Sequence, residues 1–451
     1  MTLALIVLAA GKGTRMNSDL PKVLHPVAGA PMLVHALRAA TTLEPDRICV
    51  VTGHGADAVE AAALEHDPEI QTARQTEQLG TAHAVAQART ALEGHDGDAI
   101  VLYGDTPFIR PETLERMIAA RKEYDLVVLG FDAADPGRYG RLVMQGNALD
   151  RIVEFKDATD KERAITLCNS GVIAADSDTL FDLISAVGNE NASGDYYLTD
   201  IIAIARAKGL TATAITCDEA ETLGVNSRAE LAAAEALFQT AMRQAAFEDG
   251  VGFYAPDSVY FSFDTVLGRD ALIEQNVVFG PGVTVESGAH IRAFSHLEGC
   301  HVARGAVVGP YARLRPGAEL AEDARVGNFV EIKNAFLDTG AKVNHLTYIG
   351  DADLGAGCNV GAGSVTCNYD GVRKHRTSIG AGAFVGSGTM LVAPVTVGAE
   401  AMTGSGSVIT QDVPDGALAL GRAVQVVKPG LARRLMALFK SSKENNQKEA
   451  I

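Results

Sequence analysis

Positive charge is scarce in this sequence. Its 39 lysines and arginines are outnumbered by 56 aspartates and glutamates, leaving a formal net charge of −17. Proteins that grip nucleic acid through its phosphates need a basic footprint, so no nucleic-acid partner is expected. Cysteine offers no scaffold either. The six cysteines (Cys49, Cys168, Cys217, Cys300, Cys358, Cys367) contain no C-x-x-C pair and are spaced irregularly for a zinc site. They read as small core or corner residues in a reducing, cytoplasmic setting. No stretch approaches the roughly 20 apolar residues that cross a bilayer, and no membrane insertion is expected. The apolar run from Leu3 to Ala10 lacks a basic leader and ends in a glycine turn, which marks a buried strand rather than a signal peptide.

The chain has 451 residues, 47% hydrophobic and 21% charged, which is globular in composition and too long for one core. The first half alternates buried strands (TLALIVLAA, DRICVVTG, DAIVLYGD) with helices (PMLVHALRAAT, PETLERMIAARKE). That alternation predicts an α/β, Rossmann-like domain with a mostly parallel sheet covered on both faces. Ligands bind such sheets at the carboxyl ends of strands, where Gly11 and Asp105 both fall. Ser227-Arg228-Ala229-Glu230 has the form of a capping box opening an alanine-rich connector helix. Its apolar stripe is Leu231, Ala234, Phe238, Met242 and Ala245.

From about residue 250 the aliphatic period becomes six. Val266, Leu272 and Val278 follow it, then Val302, Val308, Leu314, Leu320, Val326 and Ile332. After small slips come Leu337, Val343 and Ile349, and later Ile379, Val385, Leu391 and Val397. A period of six fits neither an α-helix nor a plain strand. It fits a hexapeptide solenoid, a left-handed parallel β-helix with three hexads per turn and the aliphatic residue inward. The segment 366–378 breaks the period and is expected to leave the coil as a loop. The expected domains are 1–226, a linker helix 227–248, the β-helix 249–430 and a tail 431–451 that frays.

The loop after the first strand reads Leu8-Ala9-Ala10-Gly11-Lys12-Gly13-Thr14-Arg15-Met16. It lacks the third glycine of a dinucleotide fingerprint, and Gly-Lys-Gly is not a Walker loop. A glycine turn of this kind can be a plain tight connection. Lys12, Arg15 and Lys22 beside its backbone amides point instead to a polyphosphate. Asp105, in Tyr103-Gly104-Asp105, is either a turn residue or a ligand for Mg²⁺, which needs few protein donors. In the second half, Arg315 and Lys333 are 18 apart and should stack as a phosphate-binding pair. His345 is expected one turn on from Lys333, as a general base or as an ordinary surface histidine.

With LAAGKGTRM, SDLPKVLH, QLGTAHA, YGD, YGRLV, IVEFKDA and GVN, the first half resembles the sugar-1-phosphate nucleotidyltransferases. Together with RLRPGAEL, HLTYIGDA and TCNYDG, nearly the whole chain resembles the bacterial family that joins an N-acetylglucosamine-1-phosphate uridyltransferase to a glucosamine-1-phosphate acetyltransferase. The resemblance implies UTP and acetyl-CoA as co-substrates, Mg²⁺ as cofactor, and a homotrimer. It places Leu8, Ala9, Ala10, Gly11, Gln75, Gly80 and Thr81 at the nucleoside. Tyr103, Gly104, Gly140, Glu154 and Asn169 fall at the N-acetylglucosamine 1-phosphate. Asp105 and Asn226 fall at the metal, and Arg15 and Lys22 at the phosphates as catalytic cations. Ser170 departs from the expected threonine but keeps a hydroxyl. By the same resemblance Arg315, Lys333, Tyr348, Asn359 and Lys374 bind glucosamine 1-phosphate, and His345 is the catalytic base. Asn368, Tyr369, Ser387, Ser405 and Arg422 contact acetyl-CoA. A β-helix can also be a pure oligomerisation scaffold, and the first half a nucleotide-sugar sensor without turnover. The retained Lys22, Asp105 and Asn226 argue against the sensor.

Overall fold

The computed structural model describes residues 2–191 and 193–448, with side chains to residue 443. They form two compact units. One runs to Ala246 and regains Phe261–Asp264; the other holds Phe247–Tyr260 and everything described from Thr265 on.

The first unit is built on nine strands: β1 (Thr2–Ala9), β2 (Arg47–Thr52), β3 (Gln71–Arg74), β4 (Gly97–Tyr103), β5 (Leu126–Asp132), β6 (Arg141–Gln145), β7 (Ala148–Val153), β8 (Leu167–Asp176) and β9 (Ala212–Cys217). The main path is β9-β5-β8-β4-β1-β2-β3, with the β6–β7 hairpin attached through β8. β1 pairs in parallel with β2 and β4, whereas β8 runs antiparallel to both neighbours. The unbroken apolar run of β1 follows from burial on two sides. Leu3, Leu5 and Val7 enter one core, and Ala4, Ile6 and Leu8 the other. The carboxyl ends of β1 and β4 lie side by side, with Leu8 opposite Tyr103.

The connector helix spans Arg228–Glu248. Leu231, Ala234 and Phe238 pack with Val27, Met32 and Phe263, as the stripe predicts. Ala245, however, is exposed and Ala246 buried in its place. Gln239 is also buried, its amide bonded to both the N–H and the C=O of Phe261. The expected capping box is half formed. Ser227 Oγ accepts from Glu230 N at 3.3 Å, but Glu230 Oε2 reaches back one residue further, to Asn226 N at 2.6 Å.

The second unit is a parallel β-helix of short strands whose partners mostly lie 17 or 18 residues apart, as in Val307↔Arg325 and Arg325↔Lys342, and 25 apart across the ejected loop, as in Asn359↔Phe384. From Val302 through Val397 every aliphatic residue named above is buried. In the first turns the expected phase is wrong by one residue. Val266 and Val278 are exposed, and Ile273, Phe279, Val285, Ile291 and Leu297 fill the core. Adjacent aliphatic pairs such as Leu272-Ile273 and Val278-Phe279 make the period legible and the phase ambiguous. The ejected loop is narrower than 366–378, since strands occupy Val365–Cys367 and Thr377–Ile379. The tail is helical over Leu431–Lys448 rather than frayed, and its described side chains are exposed. Residues 449–451 of the expected tail lie outside the described residues. Apolar residues at Leu431, Leu435, Leu438 and Phe439 give it a helical period that its charge obscures.

Phe279→Ala should destabilise the β-helix by about 3–5 kcal/mol and Val278→Ala by about 0.5 kcal/mol or less. Urea unfolding of the two variants checks this, and equal losses would show the phase assignment to be wrong.

Candidate active sites

At the carboxyl ends of β1 and β4 a cleft of about 320 Å³ is lined by Leu8, Ala9, Ala10, Gly11, Lys22, Gln75, Gly80, Thr81, Tyr103 and Asp105. Gly104 N donates to Leu8 O at 3.0 Å and ties the two strand ends together. Lys22 Nζ forms an ion pair with Asp105 Oδ2 and donates to Asn226 Oδ1 at 3.0 Å. A glycine leaves room for this lysine. Gly13 has φ +57°, and a Cβ there would stand 2.6 Å from Lys22 Cβ. Val225 N donates to Asp105 O at 3.0 Å, and the Glu230 bond fixes Asn226 from its other side.

One carboxylate and one amide oxygen converge on a cation here, the Lys22 ammonium. Hard oxygen donors in small number suit Mg²⁺, which draws its remaining ligands from phosphates and water. The residues present therefore fit a magnesium ion.

Asn169 N donates to Gly140 O at 2.8 Å, and a Cβ on Gly140 would lie 3.4 Å from Glu154 Oε1, so Gly140, Glu154 and Asn169 form one group. Burial pushes the Glu154 carboxyl up; a hydrogen bond from Thr199 opposes this, and Asp200 and Asp157 add to it. Burial, then Asp105 and Glu154, hold the Tyr103 phenol far above its ordinary value. Ser170 Oγ donates to Leu129 O at 2.8 Å and accepts from Val172 N, so its hydroxyl secures the irregular stretch of β8. Of the two expected catalytic cations of this unit Lys22 lines the cleft, and the other, Arg15, stands apart. It is exposed on the short turn Thr14–Met16 and does not line the cleft. Sequence reasoning missed Gln78, whose Nε2 donates to Ala10 O at 3.0 Å, and Asp195 on the far rim. Gln78 opens the QLGTAHA motif, whereas nothing near Asp195 in the sequence marks it.

In the β-helix, Arg315 N donates to Ile332 O, so Arg315 and Lys333 stack as expected. Arg315 pairs with Glu331 at 2.8 Å. The ejected loop brings Lys374 against Lys333, and this neighbour first, then burial and Arg315, pushes the Lys333 ammonium below its ordinary value. Asp351 stands beside both lysines and accepts from Asn334 and from the buried Asn368. Tyr348 sits over Gly350, where a Cβ would come within 2.3 Å of the Tyr348 hydroxyl.

His345 is not one turn on from Lys333. That place is taken by Gly350, and His345 stacks on Asn328. The turn is 17 residues here, and a corner at Leu346 (φ +50°) separates the His345 strand from the Tyr348 strand. His345 is exposed, and its Nδ1 lies 2.8 Å from Asn328 Oδ1. An amide oxygen only accepts, so Nδ1 carries a proton, and in the neutral ring Nε2 keeps its lone pair.

A column runs on from His345. Leu346 N donates to Asn328 O, Gly363 N to His345 O, Gly388 N to Ala362 O and Gly406 N to Ser387 O. Asn328, His345, Ala362, Ser387 and Ser405 therefore stack in order along one corner. Asn328 and Ala362 carry no sequence signal of their own; only the register reveals them. Asn359 pairs with Lys342 in this same sheet and is not brought to the lysine cluster. Tyr369 is exposed on the loop, and Arg422 is exposed just past the last strand. The six cysteines form no disulfide; burial raises the Cys49, Cys217 and Cys300 thiols to about 12, which suits packing and not catalysis.

Fold and sites define a nucleotidyltransferase joined to a β-helix that presents cations and an imidazole. Residues 5–169 match the MobA-like NTP transferase domain family. The chain is 64% identical to Bifunctional protein GlmU of Roseobacter denitrificans over 448 residues, 99% of this chain and 100% of that one. It is 69% identical to Bifunctional protein GlmU of Cereibacter sphaeroides over 449 residues, covering 100% and 99%. Against Bifunctional protein GlmU of Jannaschia sp. the figures are 66% over 447 residues, covering 99% and 98%. The chain belongs to the bifunctional GlmU family, enzymes that pair a UDP-N-acetylglucosamine pyrophosphorylase with a glucosamine-1-phosphate acetyltransferase. Membership implies small-molecule substrates, nucleotides among them, and a divalent metal. No helix among the described residues is long and apolar enough to cross a membrane.

A raised carboxyl pKa means that ionised Glu154 opposes folding above that pKa, and that this penalty fades as the pH falls toward about 4.5. Glu154→Gln should therefore raise the melting temperature at pH 7, with the gain shrinking on acidification. Calorimetry across that range checks it; a gain that grows on acidification would reverse the sign.

Proposed function

We infer that the chain makes UDP-N-acetylglucosamine in two steps: it acetylates glucosamine 1-phosphate, then joins the product to UMP from UTP. The convergence of Lys22, Asp105 and Asn226 in a cleft at the strand ends carries the second step.

Acetyl transfer comes first. The lysine cluster, Arg315 and Tyr348 hold the phosphate and ring of glucosamine 1-phosphate. The free amine attacks the thioester carbonyl of acetyl-CoA, forming the amide and breaking the C–S bond. His345 Nε2 receives the amine proton, while Asn328 holds the imidazole in the tautomer that accepts it. The departing thiolate takes up a proton and leaves as CoA. Acetyl-CoA lies along the Ala362–Ser387–Ser405 column, whose small side chains leave room, with Asn368, Tyr369 and Arg422 at its margins. The exposed ladder Phe294, Tyr311, Phe329 and Leu346 beside that column supports lateral packing into a homotrimer, with Asn359 serving a site shared between coils.

Uridylyl transfer follows. A phosphate oxygen of N-acetylglucosamine 1-phosphate attacks the α-phosphorus of UTP, and the bond to the β-phosphate oxygen breaks to release pyrophosphate. The attacking phosphate is already an anion, so no general base is needed. Asp105 and Asn226 would hold Mg²⁺, which supplies charge neutralisation at the phosphates. Lys22 adds a second positive charge beside them, and Arg15 a third from the loop. Gln75, Gly80, Thr81 and the segment from Leu8 to Gly11 hold the nucleoside; Tyr103, Gly104, Gly140, Glu154 and Asn169 hold the sugar. The expected domain limits 1–226, 227–248 and 249–430 are retained for these roles. UTP and acetyl-CoA are both cytoplasmic, and the enzyme is placed there.

Mass-spectrometric analysis of a reaction with glucosamine 1-phosphate, acetyl-CoA, UTP and Mg²⁺ tests the assignment, with UDP-N-acetylglucosamine, CoA and pyrophosphate expected. Asp105→Ala should stop pyrophosphate release but not CoA release, and His345→Ala the reverse when N-acetylglucosamine 1-phosphate is supplied. Joint loss of both activities in either variant would contradict separate sites.

A further inference from the structure

Gln75 lines the cleft and is 5% exposed. Its Nε2 donates to Gly80 O at 3.1 Å and faces His83 Nδ1 at 3.1 Å. The bond to a carbonyl oxygen identifies this end of the amide as the nitrogen. Both amide hydrogens are thereby engaged, and Oε1 takes no hydrogen bond from any described residue. The side chain therefore offers a ligand an acceptor and no donor.

His83 lies on the helix Thr81–Ala86 that borders the cleft. Gln87 Nε2 faces its other ring nitrogen at 3.2 Å and also donates to His83 O at 3.0 Å. A neutral imidazole accepts at one nitrogen only. Buried Gln75 cannot turn its amide over without losing the Gly80 bond, whereas half-exposed Gln87 can trade its bond to His83 O for water. Nδ1 is therefore the acceptor, and Nε2 bears the proton.

Uracil and cytosine differ in the feature this amide would read. Uracil carries a ring N3–H donor, and cytosine a bare N3 acceptor. We propose that His83 is a positioning residue that locks the Gln75 amide with its oxygen free, so that the cleft selects a pyrimidine bearing a ring N–H over one lacking it. The inference rests on the cleft being the UTP site. Without an acceptor at position 83, one amide hydrogen of Gln75 is released. Only the Gly80 bond then opposes turning, so the amide presents its nitrogen to the base in part of the population.

The test compares kcat/KM for UTP and CTP, with N-acetylglucosamine 1-phosphate and Mg²⁺, in the full chain and in H83A, H83N and H83Q. The asparagine oxygen of H83N falls near the place of Nδ1; the glutamine of H83Q extends toward that of Nε2. H83A is expected to lose at least about tenfold of the preference for UTP, through KM for UTP and with kcat little changed. H83N should keep most of the preference, and H83Q should not. A folded H83A with the wild-type preference overturns the proposal, as does an H83N that falls as far as H83A or H83Q. If H83A does not fold, the contrast between H83N and H83Q decides. Wild-type protein that makes no nucleotide sugar from UTP would overturn the reading of the cleft itself, and that result is distinct because it precedes any variant.

Discussion

The contact of Lys22 with Asp105 and Asn226 organises the first unit. Each partner arrives from a different place: a turn after β1, the end of β4, and the approach to the connector helix. Three charged or strongly polar groups gathered in a half-buried cleft are stable only when mutually satisfied. The surrounding hydrogen bonds therefore hold the backbone as much as the side chains. Gly13 admits Lys22, Val225 N grips Asp105 O, and Glu230 forgoes the usual capping partner to hold Asn226. The same oxygens that receive the ammonium suit a divalent cation, so the fold's own electrostatic solution is also its chemistry.

The second unit solves the same problem with register instead of a cleft. Each turn of the coil repeats the backbone at the spacing of paired strands, about 4.8 Å. Side chains at equal phase therefore form columns. Arg315 over Lys333 concentrates positive charge, and the loop that adds Lys374 raises it further, at a visible cost to the Lys333 ammonium. Around the corner, the column from Asn328 to Ser405 keeps only small side chains beyond His345. Inward aliphatics, each worth about 1.5–3 kcal/mol when fully buried, hold these columns in line. The chemistry sits outside and the stability inside, which lets the two vary independently.

Much of the fold was readable because the signals were periodic. A continuous apolar strand, a glycine turn and a period of six each have one dominant structural solution. The aliphatic core from Val302 to Val397 follows directly from that period. The early coils were misread because Val278-Phe279 and Leu272-Ile273 each offer two apolar candidates, and only packing chooses between them. Ala245 gave way to Ala246 for a related reason, since adjacent alanines offer two small candidates and only packing chooses between them.

Residue types and their local spacing determined the two chemistries: cations beside a glycine turn, a carboxylate at a strand end, and a histidine in a solenoid. Those properties are local, and sequence carries them. The neighbours of each group were decided by the tertiary structure. Asn328 under His345, Ala362 in its column, Gln78 on Ala10 and the placing of Arg15 outside the cleft lining all depend on contacts between distant residues. His345 stands two hexads past Lys333, about two-thirds of a turn, and so on a different face of the coil; the 17-residue turn then puts it over Asn328 rather than Gly327, because a one-residue change of register changes a side chain's partner.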